Sequence, residues 1–135
     1  MKKGLIKKFR ENYAKNGKIN KPGIGADGKP IKEQTNWVWF NRETIEAALA
    51  KADADGKTGG LKMFFGQYDK ETISMIPADR PKREDYIGRI SLVLVPTNLT
   101  EEGLQEVNHV QEPTSDEDDD GWNGGMLCPP ECITN

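Results

Sequence analysis

The residues best placed to do chemistry are Cys128 and Cys132, the only two cysteines, which bracket Pro129, Pro130 and Glu131 near the end of the 135-residue sequence. Three chemistries suit that spacing. The pair can close a disulfide if the prolines turn the chain, although so short a ring adds little through chain entropy. It can supply half of a tetrahedral zinc site, to be completed by His109, a carboxylate or a second copy. Or both thiols stay reduced, packed as small apolar groups against Trp122 and Met126. A catalytic dithiol normally has two intervening residues and a βαβ setting, and neither is present. Spacing alone leaves the three readings open.

Other motifs give way to ordinary explanations. Gly23, Gly25 and Gly28 spell a G-x-G-x-x-G string, but no strand precedes it and Pro30 stands where a helix should run, so it is no dinucleotide site. Gly56, Lys57 and Thr58 end like a phosphate loop, yet Lys51 occupies the position of the first glycine. Asp53, Asp55 and Gly56 lack the ligand spacing and closing glutamate of a calcium loop and read as a turn that ends a helix. His109, the one histidine, has no nucleophile and acid matched to it in sequence, and it reads as a surface residue. The run Asp116 to Asp120 would hold a hard cation weakly and unselectively. No catalytic residue is assigned.

Charge is segregated along the chain. Residues 1–32 carry ten lysines or arginines against two acids, a net of +8, whereas residues 101–135 carry ten acids and no lysine or arginine, a net of -10. A basic arm by itself would suggest nucleic acid. Beside a longer acidic arm, and with few aromatics to stack bases, its expected partner is the acidic arm of the same chain or a neighbouring copy. Lys2, Lys3, Lys7, Lys8 and Arg10 would meet Asp116, Glu117, Asp118, Asp119 and Asp120, with Trp122, Cys128 and Cys132 fastening the acidic arm. No apolar stretch approaches the roughly 20 residues of a membrane helix, and Met1 to Arg10 lacks the apolar core of a secretory signal. The expectation is a cytoplasmic protein.

The elements that must position these residues follow from periodicity. Leu5, Ile6, Phe9 and Tyr13 predict a short amphipathic helix within Gly4 to Asn16, able to dock on the core or on a partner. Gly17 to Gln34 reads as a connecting arm. Thr35 to Phe40 predicts a strand with Trp37 and Trp39 on one face. Asn41 caps a helix whose stripe is Ile45, Ala48, Leu49 and Ala52. Leu61 to Tyr68 and Ile87 to Pro96 are the best strands, with a short strand at Ile73 to Ile76 and a charged loop Ala78 to Asp85 between them. Thr100 would cap a short helix over Glu101 to Val107. The expected architecture is α+β: a sheet of three or four strands packed by one helix over residues 35–99, a basic helix and arm at 1–34, and an acidic arm at 100–135.

With that order of elements, the Trp37 to Phe40 strand, the Asn41 to Ala52 helix, the Phe-Phe-Gly of the Gly60 to Tyr68 strand, the Ile90 to Pro96 strand and the final Cys-Pro-Pro-x-Cys, the chain resembles a family of small Bacteroidota proteins. The similarity spans residues 36–132 with gaps and is most specific at the cysteine motif. It implies the same fold and no established activity. Glu131 replaces the aromatic of the family's Cys-Pro-Pro-Tyr-Cys, the basic arm is longer, and Asp69 to Gly88 looks like an insertion.

Taken together, these residues favour a non-enzymatic interaction or assembly protein that joins copies, or a larger complex, through oppositely charged arms. No cofactor is expected for it. A redox-active or zinc-binding thiol protein centred on Cys128 and Cys132 is the alternative. An enzyme pocket near Trp37, Trp39, Arg42 and Tyr68 would rest only on aromatics beside a charge, which core packing also explains.

Overall fold

Leu5, Ile6 and Phe9 wind along one face of helix α1 (Leu5–Lys15), and all three are buried, which settles that α1 docks on the body of its own chain. In the computed structural model, which describes residues 4–52, 59–107 and 123–132, the chain is α+β. After α1 come β1 (Trp37–Trp39), α2 (Arg42–Ala52), β2 (Gly59–Gln67), β3 (Ile90–Thr100), β4 (Gly103–Glu106) and β5 (Met126–Cys128). Strands β2, β3 and β4 form an antiparallel sheet in that order, and β1 pairs antiparallel with β5 in a separate two-stranded ribbon. Single 3-10 turns lie at Gly17–Ile19, Thr72–Met75 and Arg83–Tyr86.

The register of the sheet decides what meets α1. Phe64 faces Val93 and Gly66 faces Ser91, so these four share one side of the pleat. A Cβ on Gly66 would fall 2.0 Å from the Phe9 ring, so this is the side on which α1 lies. Burying Phe9 there contributes about 1.5–3 kcal/mol. The cluster continues through Tyr68, Met75, Ile76, Tyr86 and Leu127. Consecutive residues Val93, Leu94 and Val95 are all buried, which requires cover on both faces of β3. Helix α2 packs on β2 and β3 through the buried Ala48 and Ala52, and the Asn41 side chain accepts from the Thr44 N–H at 2.8 Å, as a cap should.

α1 also covers the end of edge strand β2. The Asn12 amide donates to the Gln67 carbonyl at 2.9 Å, and Tyr13 stacks on Phe65 with ring centroids 5.3 Å apart. An otherwise open strand edge is thereby occupied.

Several expectations are corrected. Ile73 to Ile76 is no strand: the Asp69 carboxylate accepts from the N–H groups of Glu71 and Thr72 and from the Thr72 hydroxyl, which curls the chain into a 3-10 turn. Glu101 to Val107 is not helical, because β3 runs on past Pro96 to Thr100 and turns back as β4. The Thr100 hydroxyl does accept from the Glu102 N–H, but it donates to the Gly103 carbonyl, and Gly103 has φ 108°, so it shapes a hairpin turn instead of a cap. The strand expected from Ile87 begins at Ile90, since Gly88, with φ 90°, lies in a turn pressed against Ile24.

The arm from Gly17 to Gln34 is tied down more than its composition suggests. The buried side chain of Gln67 accepts from the Gly17 N–H at 3.0 Å and donates to the Gly88 carbonyl at 2.9 Å. The Gln34 side chain accepts from the Ile90 N–H at 2.6 Å and the Thr35 hydroxyl donates to the Ile90 carbonyl at 2.5 Å. Arg89 donates to the Glu33 carbonyl. Its lysines, Lys18, Lys21, Lys29 and Lys32, remain exposed.

Candidate functional site

Cys128 and Cys132 are joined in a disulfide, with Cα atoms 4.5 Å apart. The element is built outward from β5. Leu127 points into the core opposite Val38, so its neighbours Met126 and Cys128 share the other side of the ribbon with Trp39 and Trp37. Trp37 is 40% and Trp39 53% exposed. They do share a face, as expected, but it is the outer one, and Val38 is the residue of β1 that packs inward.

Tyr86 and Arg80 hold this C-terminal segment on the core. The Tyr86 ring is fully buried, its hydroxyl accepts from the Leu127 N–H at 3.3 Å and from Arg80 at 3.2 Å, and it donates to the Glu131 carboxylate. Arg80 also donates to the Gly124 carbonyl at 2.6 Å. Burial, with the Glu131 carboxylate beside it, raises the Tyr86 phenol above its ordinary pKa of 10.0. Tyr68 anchors the same segment from below. Its hydroxyl donates to the Asn123 side chain at 2.8 Å, and Asn123 donates to the Leu92 carbonyl at 3.0 Å. Burial raises the Tyr68 phenol strongly. The backbone closes the clasp: the Asn36 N–H donates to the Cys128 carbonyl and the Glu131 N–H to the Leu127 carbonyl at 2.8 Å.

The chemistry open to this element is that of a disulfide. With the sulfurs joined, neither is a thiolate that zinc could take. Among the described residues no three His, Cys, Asp or Glu side chains gather as a metal site would need, and His109 lies outside the described residues. The pocket expected from Trp37, Trp39, Arg42 and Tyr68 is not assembled. Tyr68 is buried between Phe9 and Tyr86, whereas Arg42 pairs in solvent with Glu46 at 3.3 Å. Trp39 instead borders a cleft of about 270 Å³ with Thr44, Pro77 and Met126.

The basic candidates part company. Lys8 is committed within the chain, to Asp69 at 3.1 Å and Glu71 at 3.2 Å, and those bonds raise its pKa. Arg10 lies 3.6 Å over the Phe64 ring. Lys7, Arg10 and Lys18 rim a groove of about 510 Å³ between α1 and β2, floored by Met63 and Phe65. Among the described residues none of the three is ion-paired. Lys2, Lys3, Asp116, Glu117, Asp118, Asp119, Asp120 and Trp122 lie outside the described residues.

Arg80, Tyr86 and Asn123 were not visible in the sequence as functional residues, because each acts through a partner more than 30 positions away. The only local sign was Glu131, a charged residue inside the cysteine loop. No helix among the described residues is long and apolar enough to cross a membrane. No family model matches the chain, and searches of curated proteins and of solved structures returned no match.

Proposed function

We propose that the chain is a non-enzymatic assembly subunit, working in the cytoplasm, in which the basic groove of one copy receives the acidic run Asp116 to Asp120 of another. The observation that carries this reading is the groove beside α1. Lys7, Arg10 and Lys18, none of them ion-paired among the described residues, outnumber the one acid of the groove, Glu11, around an apolar floor of Met63 and Phe65, each more than half exposed. Exposed apolar surface rimmed by charge is what a protein partner covers. The same chain carries the complementary charge. Because donor and acceptor surfaces differ, the contact is head-to-tail, and copies close into rings or extend as filaments according to the rotation between them.

Light scattering after size exclusion, at low and high salt, tests the reading. The expected result is an assembly that dissociates as salt screens the contact, is lost when Lys7, Arg10 and Lys18 are changed together to Glu, and is lost again when Asp116, Asp118, Asp119 and Asp120 are changed to Asn. A monomer at high concentration and low salt overturns it.

A further inference from the structure

We infer that Cys128 and Cys132 form a thiol–disulfide exchange site for dithiol reductants, and that its oxidation state decides whether residues 123–132 stay clasped to the core. This inference is independent of the assembly reading. Three observations carry it. The two cysteines are unlike: Cys128 is 5% exposed within β5, whereas Cys132 is exposed beyond the last strand. An attacking thiolate therefore has access at Cys132. The loop that the disulfide closes contains Glu131, the acceptor for the buried Tyr86 hydroxyl, so the covalent ring presents the carboxylate that pins the segment. Finally, β5 and β1 are three residues each and form a ribbon of two strands, a unit that is marginal by itself. What holds the segment is therefore the buried Leu127, the bonds from Arg80 and Tyr86, and the covalent ring that presents Glu131.

The exchange balances without any group beyond the reductant. A thiolate of the dithiol attacks the Cys132 sulfur, the bond to Cys128 breaks, and Cys128 leaves as a thiolate that takes a proton from water. The second thiolate of the dithiol then attacks the mixed disulfide at the reductant's own sulfur and expels Cys132. The reductant is oxidised to its cyclic disulfide, and the protein gains two hydrogens. In a reducing compartment such a bond is transient and responds to redox conditions, which is what a clasp requires.

The test uses the full chain titrated with dithiothreitol, read by intact mass and by hydrogen exchange. Expected are a gain of two hydrogens under native conditions, exchange at the Leu127 and Glu131 amides faster by about tenfold or more, and unchanged protection across β2 and β3. Glutathione disulfide added to the reduced protein should place its first adduct on Cys132. The Cys128→Ser, Cys132→Ser double variant should reproduce the exchange pattern of the reduced form. Reduction only in denaturant, unchanged exchange after reduction, or a first adduct on Cys128 would each overturn the inference.

Discussion

The Tyr86 hydroxyl donates its hydrogen bond to the Glu131 carboxylate, and this contact joins the buried core to the loop closed by Cys128 and Cys132. The same oxygen accepts from Arg80 and from the Leu127 N–H. Removing it in Tyr86→Phe keeps the ring's volume but leaves a carboxylate and a buried N–H without their partner, at a cost of about 1–3 kcal/mol. Denaturant unfolding should show that loss. Glu131→Gln retains an acceptor oxygen and should cost less. Equal losses for the two would mean that the charge of Glu131, and not its hydrogen bond, holds the segment.

Gly66 leaves room for Phe9, and a methyl group there has nowhere to go. Its Cβ would sit 2.0 Å from the Phe9 ring in a strand paired along its whole length with β3. Gly66→Ala should therefore destabilise by about 1–3 kcal/mol, through overpacking. Phe9→Ala alone, which opens a cavity, should cost about 3–5 kcal/mol. In the double variant the methyl enters the vacated space, so its cost should fall short of the two single costs added together. Strict additivity would show that α1 does not lie on Gly66.

What the sequence made legible was whatever depends on local period. The spacing of Leu5, Ile6, Phe9 and Tyr13 predicted an amphipathic helix, and the first three are buried with Tyr13 partly so. Asn41 caps the second helix as expected, but of its stripe Ile45, Ala48, Leu49 and Ala52 only the two alanines are fully buried, and Ile45 is exposed. The apolar run from Ile90 predicted a largely buried strand, and β3 is buried on both faces from Val93 to Thr97, while its end at Leu99 and Thr100 is exposed. Thr100 and Asp69 were harder, because a short polar side chain serves a cap, a hairpin or a 3-10 turn equally well until the strand pairing is known. Trp37 and Trp39 alternated correctly, but period 2 does not say which face is inward, and the smaller Val38 took the core. The candidate site was legible only as the cysteine pair. Its anchors, Arg80, Tyr86 and Asn123, depend on long-range pairing.

Alkali should undo the fold through its buried phenols. Tyr68 and Tyr86 both have their pKa raised in the folded state, mainly by burial. A group whose folded pKa is raised contributes stability that is complete below its unfolded value and is lost as pH climbs toward the folded one. The ordinary tyrosine value is 10.0, so stability should decline above about pH 10. Tyrosinate absorbance should rise late and together with the loss of secondary structure. Two tyrosines ionising while the protein remains fully folded would contradict this.

Acid should act first on the attachment of α1. Burial pushes the Asp69 carboxyl up, but hydrogen bonds from the Thr72 N–H and hydroxyl and from Lys8 outweigh it and leave its pKa below the ordinary 3.8. A depressed carboxyl contributes stability that is present above its unfolded value and is lost as pH falls through the folded one. Lys8, raised by the same contact, stays charged throughout that range and sets no acid limit. Asp69→Asn retains an oxygen for the bonds from Thr72 and removes the charge facing Lys8. The melting temperature of wild type should therefore exceed that of Asp69→Asn at neutral pH, with the gap closing as pH drops below about 4. Both groups are a third exposed, so added salt should narrow the gap as well. A gap that stays constant from neutral pH into acid would assign the effect to the turn at Thr72 and not to the ion pair that fastens the helix.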